Sequence, residues 1–277
     1  MITIDNVREL DLEQIADSGQ CFRWQRIDEN CYRIIAKGKV LLAFKHRGSN
    51  SLRLDCSADE YEKIWRGYLD MDTDYGSIIS SIPAGDLYLK NAAAAFKGIR
   101  ILRQDPWETL ITFIISQRKN IPAIKASVEK LCSIAGPVIG YSQDEDFHAF
   151  PTPKALAALS EEDLKACSLG YRTPYIQRAA RAVLDGTFDP YMAFSLPDEE
   201  LFDKLCSLHG VGKKVANCTM LFAYHRMDSF PIDVWMERIR DRHYPEGFNT
   251  DSYRPWGGVM QQYMFAYERL IGQDKEF

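Results

Sequence analysis

The sequence predicts an α+β front portion with an antiparallel sheet, residues 1–85, followed by an all-α portion, residues 86–277. Three observations carry that division. Cys31 to His46 is rich in β-branched and aromatic residues around an interior glycine, and Ser51 to Cys56 alternates polar with apolar, as antiparallel strands do. From Leu87 onward apolar residues recur at helical spacing nearly to the end of the chain. Within that portion Gly210 and Gly212 flank Val211 between two apolar helical patterns, which marks a tight turn joining two helices.

Taken in order, residues 1 to about 56 read as strands. Asp17 to Trp24 sets a flexible Gly19 before two aromatics, and on residue chemistry alone it is a turn entering a strand, with Phe22 and Trp24 in the core. Ser57 to Leu69 opens on a capping serine with acids in its first turn and reads as a helix; 71 to 76 reads as a turn. Asp105-Pro106-Trp107-Glu108 is a helix start with cap, N1 proline and acidic third residue. Trp107 to Ile115 is too apolar for a surface helix and is expected to be a buried spine. At its end stand Gln117, Arg118, Lys119 and Asn120, suited either to contacting nucleic acid or to capping a solvated helix end. Thr152 to Leu169 holds a short helix opening at Ser160. It ends at Gly170-Tyr171-Arg172, where Tyr171 can wedge into a base stack or simply pack on the next helix. Pro255 to Gln273 forms the last helix and carries Gln261, Gln262 and Phe265.

Composition narrows the function classes. A net charge of −5 disfavours indiscriminate polyanion binding, so any nucleic-acid contact needs a local basic face. Seven scattered cysteines without a Cys-x-x-Cys pair suggest reduced thiols, and none follows Cys218 to hold an iron–sulfur cluster. No apolar run reaches membrane-spanning length and the N-terminus has no leader pattern, so a cytoplasmic, nucleoid-associated protein with no membrane partner is expected.

The stretch richest in chemistry is Leu205 to Arg238. The Gly210-Val211-Gly212 turn lets backbone amides approach a phosphate closely. Lys213 and Lys214 open the next helix, whose positive end disfavours a charged ammonium and so favours a nucleophilic amine. Lys214, Cys218 and Phe222 lie four apart and share a helix face. Cys218 and Phe222 can equally be plain core. Asp233 follows a proline and precedes an amphipathic run, as a helix N-cap does.

A glycine hairpin, a lysine just after it and an aspartate a helix and a loop further on resemble the helix-hairpin-helix DNA glycosylase superfamily, and within it the 8-oxoguanine DNA glycosylase/AP lyases, in a bacterial-type form. The resemblance covers almost the whole chain. Ser18 to Trp24 is similar to that family's N-terminal motif, Leu102 to Pro106 to the start of its central helix, and Leu169 to Arg172 to its wedge loop. It implies a twisted antiparallel sheet in the front α+β domain and a helical domain bearing the hairpin.

The resemblance also implies roles. Lys214 attacks C1′ and forms a Schiff base, while Asp233 stabilises the oxocarbenium charge. The Gly19 carbonyl reads the N7 hydrogen of 8-oxoguanine, Cys218 and Phe265 sandwich the flipped base, and Gln261 meets its Watson–Crick edge, with Phe222 in the pocket wall. Tyr171 fills the gap, Arg172 meets the opposite cytosine, and His209, Gly210, Val211 and Gly212 face phosphate. Carbonyls of Cys206, Leu208 and Val211 hold a monovalent K+ or Na+, with no other cofactor. The implied partner is duplex DNA containing damaged guanine, bound by a monomer.

The chain also departs from the family. Gln117-Arg118-Lys119-Asn120 replaces an asparagine-rich turn, and Ala123 stands where eukaryotic members have a second arginine for the opposite cytosine. Trp235 replaces a phosphate-contacting histidine, and His209 a proline. The expectation is a bifunctional glycosylase/lyase for 8-oxoguanine. The alternatives are a helix-hairpin-helix glycosylase for alkylated bases and a non-catalytic DNA-gripping module.

Overall fold

A computed structural model describes residues 1–142 and 145–273. Five antiparallel strands form the front sheet: β1 (Ile2–Ile4), β2 (Trp24–Asp28), β3 (Cys31–Ala36), β4 (Lys39–Phe44) and β5 (Leu52–Leu54), in the order β1-β5-β4-β3-β2. The β3–β4 hairpin pairs Ala36 with Lys39 across Lys37 and Gly38, whose φ values of 52° and 70° are those of a two-residue turn that matches strand twist. Ile34, Leu41, Ala43, Leu52 and Leu54 point to one face and bury completely against Trp65 and Leu69. The expected antiparallel sheet and helical back portion are both present.

Three local expectations need correction. Residues 1 to 56 are not all strand, because α1 (Leu12–Asp17) interrupts them. Asp11 caps it by accepting from Gln14 N, and Leu12, Ile15 and Ala16 bury its inner face at helical spacing. The turn assigned to 71 to 76 gives way to helix at Tyr75, where the Asp74 side chain caps Ser77 N. The back portion is not purely helical either: β6 (Val138–Tyr141) and β7 (Asp146–His148) form a hairpin that packs beside β4, with the Arg33 guanidinium 4.3 Å from the Phe147 ring.

The helical portion is built from α2 (Leu87–Phe96), α3 (Pro106–Ser116), α4 (Ile121–Ala135), α5 (Thr173–Leu184), α6 (Asp198–Ser207), α7 (Lys213–Phe222), α8 (Val234–His243) and α9 (Gly257–Gln273), with shorter helices between. The spine is α3, every residue of which except Glu108 is buried; Asp105 caps it through Trp107 N and Glu108 N. It packs against α7, and α9 packs on α2 and α8.

Residues 100–104 lock front to back. Buried Gln20 donates to Arg100 O and accepts from Leu102 N, both at 2.9 Å, while Gln104 donates from its side chain to Gln20 O and from its backbone to Phe222 O. This pins the turn carrying Gly19 opposite the end of α7. All seven cysteines are free.

Candidate active site

The hairpin between α6 and α7 is closed by Val211 N donating to Leu208 O at 3.0 Å. Gly210 takes φ +86°, and a Cβ there would stand 2.2 Å from Tyr175 Cγ, so both the backbone and the neighbour require glycine. Gly212 is the N-cap of α7 and has no side chain to occupy the first-turn amides, so that helix end is left open to an anion.

In the first turn of α7, Lys214 reaches a narrow slot, with Nζ 5.0 Å from the centre of the Phe113 ring. Phe113 stacks on Phe222 at 5.4 Å and 17°. Cys218 lies between Lys214 and Phe222 on the same helix face. Burial pushes its thiol up to about 11, with nearby Lys214 pulling the other way. Across the slot stand Gly19, Asp233 and Phe265. Gly19 has φ +77°, and Phe265 Cε1 lies 3.2 Å from where a Cβ would be, so the ring rests against the turn. Arg269, one turn on, lies over the Phe265 ring at 5.5 Å and donates to Asp17 O at 2.7 Å, tying α9 to the end of α1.

Asp233 caps α8 with one oxygen: Oδ1 accepts from Trp235 N at 3.0 Å and Met236 N at 3.1 Å. Extended backbone at φ −126°, ψ −176° turns the chain into that helix. The slot holds about 30 Å³ of free volume, room for a water or two and not for a purine, so its walls have to part for anything larger to enter.

Around the slot runs a rim of three loops that hold one another. Gln117 Nε2 donates to Gly210 O at 3.0 Å and to Ile114 O at 3.2 Å. Its carbonyl accepts from Arg172 Nε at 2.9 Å and from Arg172 Nη2. Arg172 is 5% exposed, donates also to Leu169 O, and lies over the Tyr171 ring at 4.4 Å. Lys119 Nζ donates to Ser127 Oγ and Ser168 O, and Asn120 caps α4 through Ala123 N. Burial lowers the Lys119 ammonium pKa, and Arg172 beside it pushes the same way. Tyr175 fits between Tyr171 and His209, edge-on to both rings.

Residues 2–110 match the family described as 8-oxoguanine DNA glycosylase, N-terminal domain. Residues 111–252 match the HhH-GPD superfamily of base excision DNA repair proteins. The chain belongs to this superfamily, as an 8-oxoguanine-glycosylase-type member. It is 30% identical to an N-glycosylase/DNA lyase of Saccharomyces cerevisiae, across 90% of this chain and 72% of that one. Its fold superposes with TM-score 0.89 on an 8-oxoguanine glycosylase/lyase of Clostridium acetobutylicum in complex with double-stranded DNA containing cytosine opposite 8-oxoguanine. That protein is 32% identical, with 98% of this chain and 95% of that one covered. A third protein, MBOgg1 in complex with a low-affinity DNA ligand, is 34% identical with TM-score 0.91, over 98% and 96% of the two chains.

In this HhH-GPD chain the slot gathers Gly19, Lys214, Cys218, Phe222, Asp233, Gln261 and Phe265. The other expected DNA-facing residues divide. Arg118, Tyr171, His209 and Gly212 are exposed, and Arg118 holds φ +51° at the tip of its loop. Val211 is buried, while Gln117, Lys119 and Arg172 spend their polar atoms on neighbouring loops. For Arg172 to reach an opposite base it would have to leave the Gln117 carbonyl. Trp235 is half-buried on α8 under the Arg238 guanidinium, 4.9 Å away. Sequence reasoning gave no site role to four slot residues: Ser18 and Gln262, which it named only as parts of a motif and a helix, and Phe113 and Pro231. Pro231 and Gln262 could have been found beside Asp233 and Gln261, whereas nothing in the apolar run of α3 singles out Phe113.

Proposed function

We propose that the chain is a bifunctional base-excision enzyme that flips 8-oxoguanine out of duplex DNA, excises it through a lysine Schiff base and then cuts the strand by β-elimination. The observation that carries this reading is that Lys214 and Asp233 line one slot with Gly19 and Phe265. Similarity to glycosylase/lyases along nearly the whole chain supports it, and the match of residues 2–110 favours it over an alkylated-base specificity.

Flipping costs a few kcal/mol, offset by phosphate contacts at the hairpin and stacking in the slot. Open α7 amides and Gly210 grip the strand while Tyr171 props the vacated stack. The base slides between Cys218 and Phe265, with Gln261 on its edge. The Gly19 carbonyl accepts from the N7 hydrogen, a donor that guanine lacks. That bond is worth about 1–3 kcal/mol, so flipping and closure of Phe265 share the discrimination.

The neutral Lys214 amine attacks C1′ as the glycosidic bond to the base breaks. Asp233 carries the countercharge for the oxocarbenium that develops. The C1′–O4′ bond then breaks, O4′ taking the proton the amine sheds, and the resulting iminium acidifies the C2′ hydrogen; its removal expels the 3′ phosphate.

Carbonyls of Cys206, Leu208 and Val211 bracket the hairpin, where Leu208 O already accepts the Val211 N–H, and these oxygens suit a monovalent cation. Such an ion would stiffen the turn.

Borohydride trapping on an 8-oxoguanine duplex tests the reading. A covalent adduct is expected with the native chain and none with Lys214→Gln, whose excision rate falls by roughly a thousandfold or more. Trapping that survives the substitution removes Lys214 from the role.

A further inference from the structure

Gln262 has no part in the steps above. It lines the slot beside Gln261, is 4% exposed, and donates from Nε2 to Gln261 Oε1 at 3.0 Å. Its Oε1 is sealed from solvent and has no hydrogen-bond partner among the described residues. Native chains keep few buried acceptors in that condition, because each forfeits its bonds to water and gains nothing in return. Among the described residues Thr109, Tyr263, His225 and Arg226 hold the other buried polar atoms in that condition, and none of these four lines the slot. Gln261 and Gln262 lie four and three residues before Phe265, so each neighbours that ring on α9, and both line the slot. Its Nε2 keeps Gln261 Oε1 paired, which packing alone would not require, and leaves its own oxygen to spare.

We propose that Gln262 is a second base-reading residue, its Oε1 accepting an N–H from the edge of the flipped base. This rests on the base-excision reading given above. Because Gln261 Oε1 is already taken by Gln262 Nε2, the Gln261 amide turns its own N–H donors outward. The pair then offers a donor from Gln261 next to an acceptor from Gln262. A guanine-type edge answers with its O6 acceptor beside its N1–H and amino donors. An adenine-type edge sets an amino donor and a ring nitrogen lone pair against the same two groups, and both contacts are repulsive. Gln262 thus selects the guanine class, while Gly19 reads the oxidation.

Gln262→Leu separates this from a packing role. Single-turnover excision is measured on 8-oxoguanine and 8-oxoadenine duplexes, together with nicking of a preformed abasic duplex and thermal melting. The expected result is 8-oxoguanine excision slowed about tenfold, with preference over 8-oxoadenine reduced by the same factor. Abasic nicking, which has no base to read, stays near native, and the melting temperature moves little, because the lost Gln262 acceptor is exchanged for a Gln261 Oε1 that has lost its donor. Unchanged lesion preference overturns the proposal, as does a parallel loss of excision, nicking and melting temperature. A native chain that nicks abasic DNA and ignores 8-oxoguanine defeats the underlying lesion assignment instead.

Discussion

The slot and the rim that surrounds it are built on opposite principles. In the slot, rigid helices and one pinned turn present side chains only lightly engaged: the Lys214 amine faces an aromatic ring and the Cys218 thiol, and Asp233 caps its helix with a single oxygen. In the rim, the polar atoms are already spent, because Gln117, Lys119 and Arg172 bond carbonyls of neighbouring loops and, for Lys119, the Ser127 hydroxyl on α4. Substitutions in the slot should therefore change chemistry at little cost in fold. Those in the rim should change affinity and stability together.

The sharpest test of the slot half is Asp233→Asn. Asparagine caps a helix as well as aspartate, so the melting temperature should barely move while excision falls on the order of a hundredfold from loss of the countercharge. Asp233→Ala should add about 1 kcal/mol of destabilisation for the lost cap. If the asparagine form melts as low as the alanine form, cap and charge are not separable and the contrast with the rim breaks. At the rim, Gly210→Ala meets both a positive φ and the Tyr175 ring. It should lose about 1–3 kcal/mol of stability and bind duplex about tenfold more weakly, read by melting and fluorescence anisotropy. Adding Tyr175→Ala removes the clash but not the strain and should return part of both.

This contrast also explains what could be read from the sequence. Lys214, Cys218 and Phe222 could be placed together because a helix repeats every 3.6 residues, and Asp233 because a cap needs a short acceptor before an amphipathic run. The Cys31 to Phe44 hairpin could be read for the same reason, with period two and a glycine turn. Each of these is a local rule. The aim of a rim side chain is not local: Gln117 turns toward Gly210, 93 residues away, and Arg172 toward Gln117, 55 away. Nothing within a few positions of either residue records those partners. The β6–β7 hairpin was missed similarly, since its short strands depend on Arg33 and β4 to hold them.

A smaller effect sharpens the rim argument. Arg172→Ala leaves the Gln117 and Leu169 carbonyls without their charged donor, which should lower stability by about 1–3 kcal/mol. Excision at saturating DNA should fall only a few-fold. Arg172→Lys keeps the charge but not the planar fork and should recover less than half of the stability. Full stability in Arg172→Ala, together with a lost preference for cytosine opposite the lesion, would make this arginine a base reader instead of a strut.

The smallest expected effect lies back in the slot, at Cys218. Burial holds its thiol up to about 11, above the ordinary value of 9.0, so the neutral form persists through the working range. The group therefore stays a neutral part of the slot wall across that range. In Cys218→Ser, excision should fall a few-fold because a hydroxyl fills the wall less well, and the pH–rate profile should keep its shape. The raised thiol pKa has a second consequence. The unfolded chain sheds this proton near 9.0 and the folded chain only near 11, so the stability held below 9.0 drains away as pH climbs between the two. Cys218→Ser should thus lose less melting temperature than the native chain between about pH 8 and pH 11. A basic limb of the native profile that vanishes in the serine form would show the thiolate acting in the reaction, and the slot would then hold a second titrating nucleophile beside Lys214.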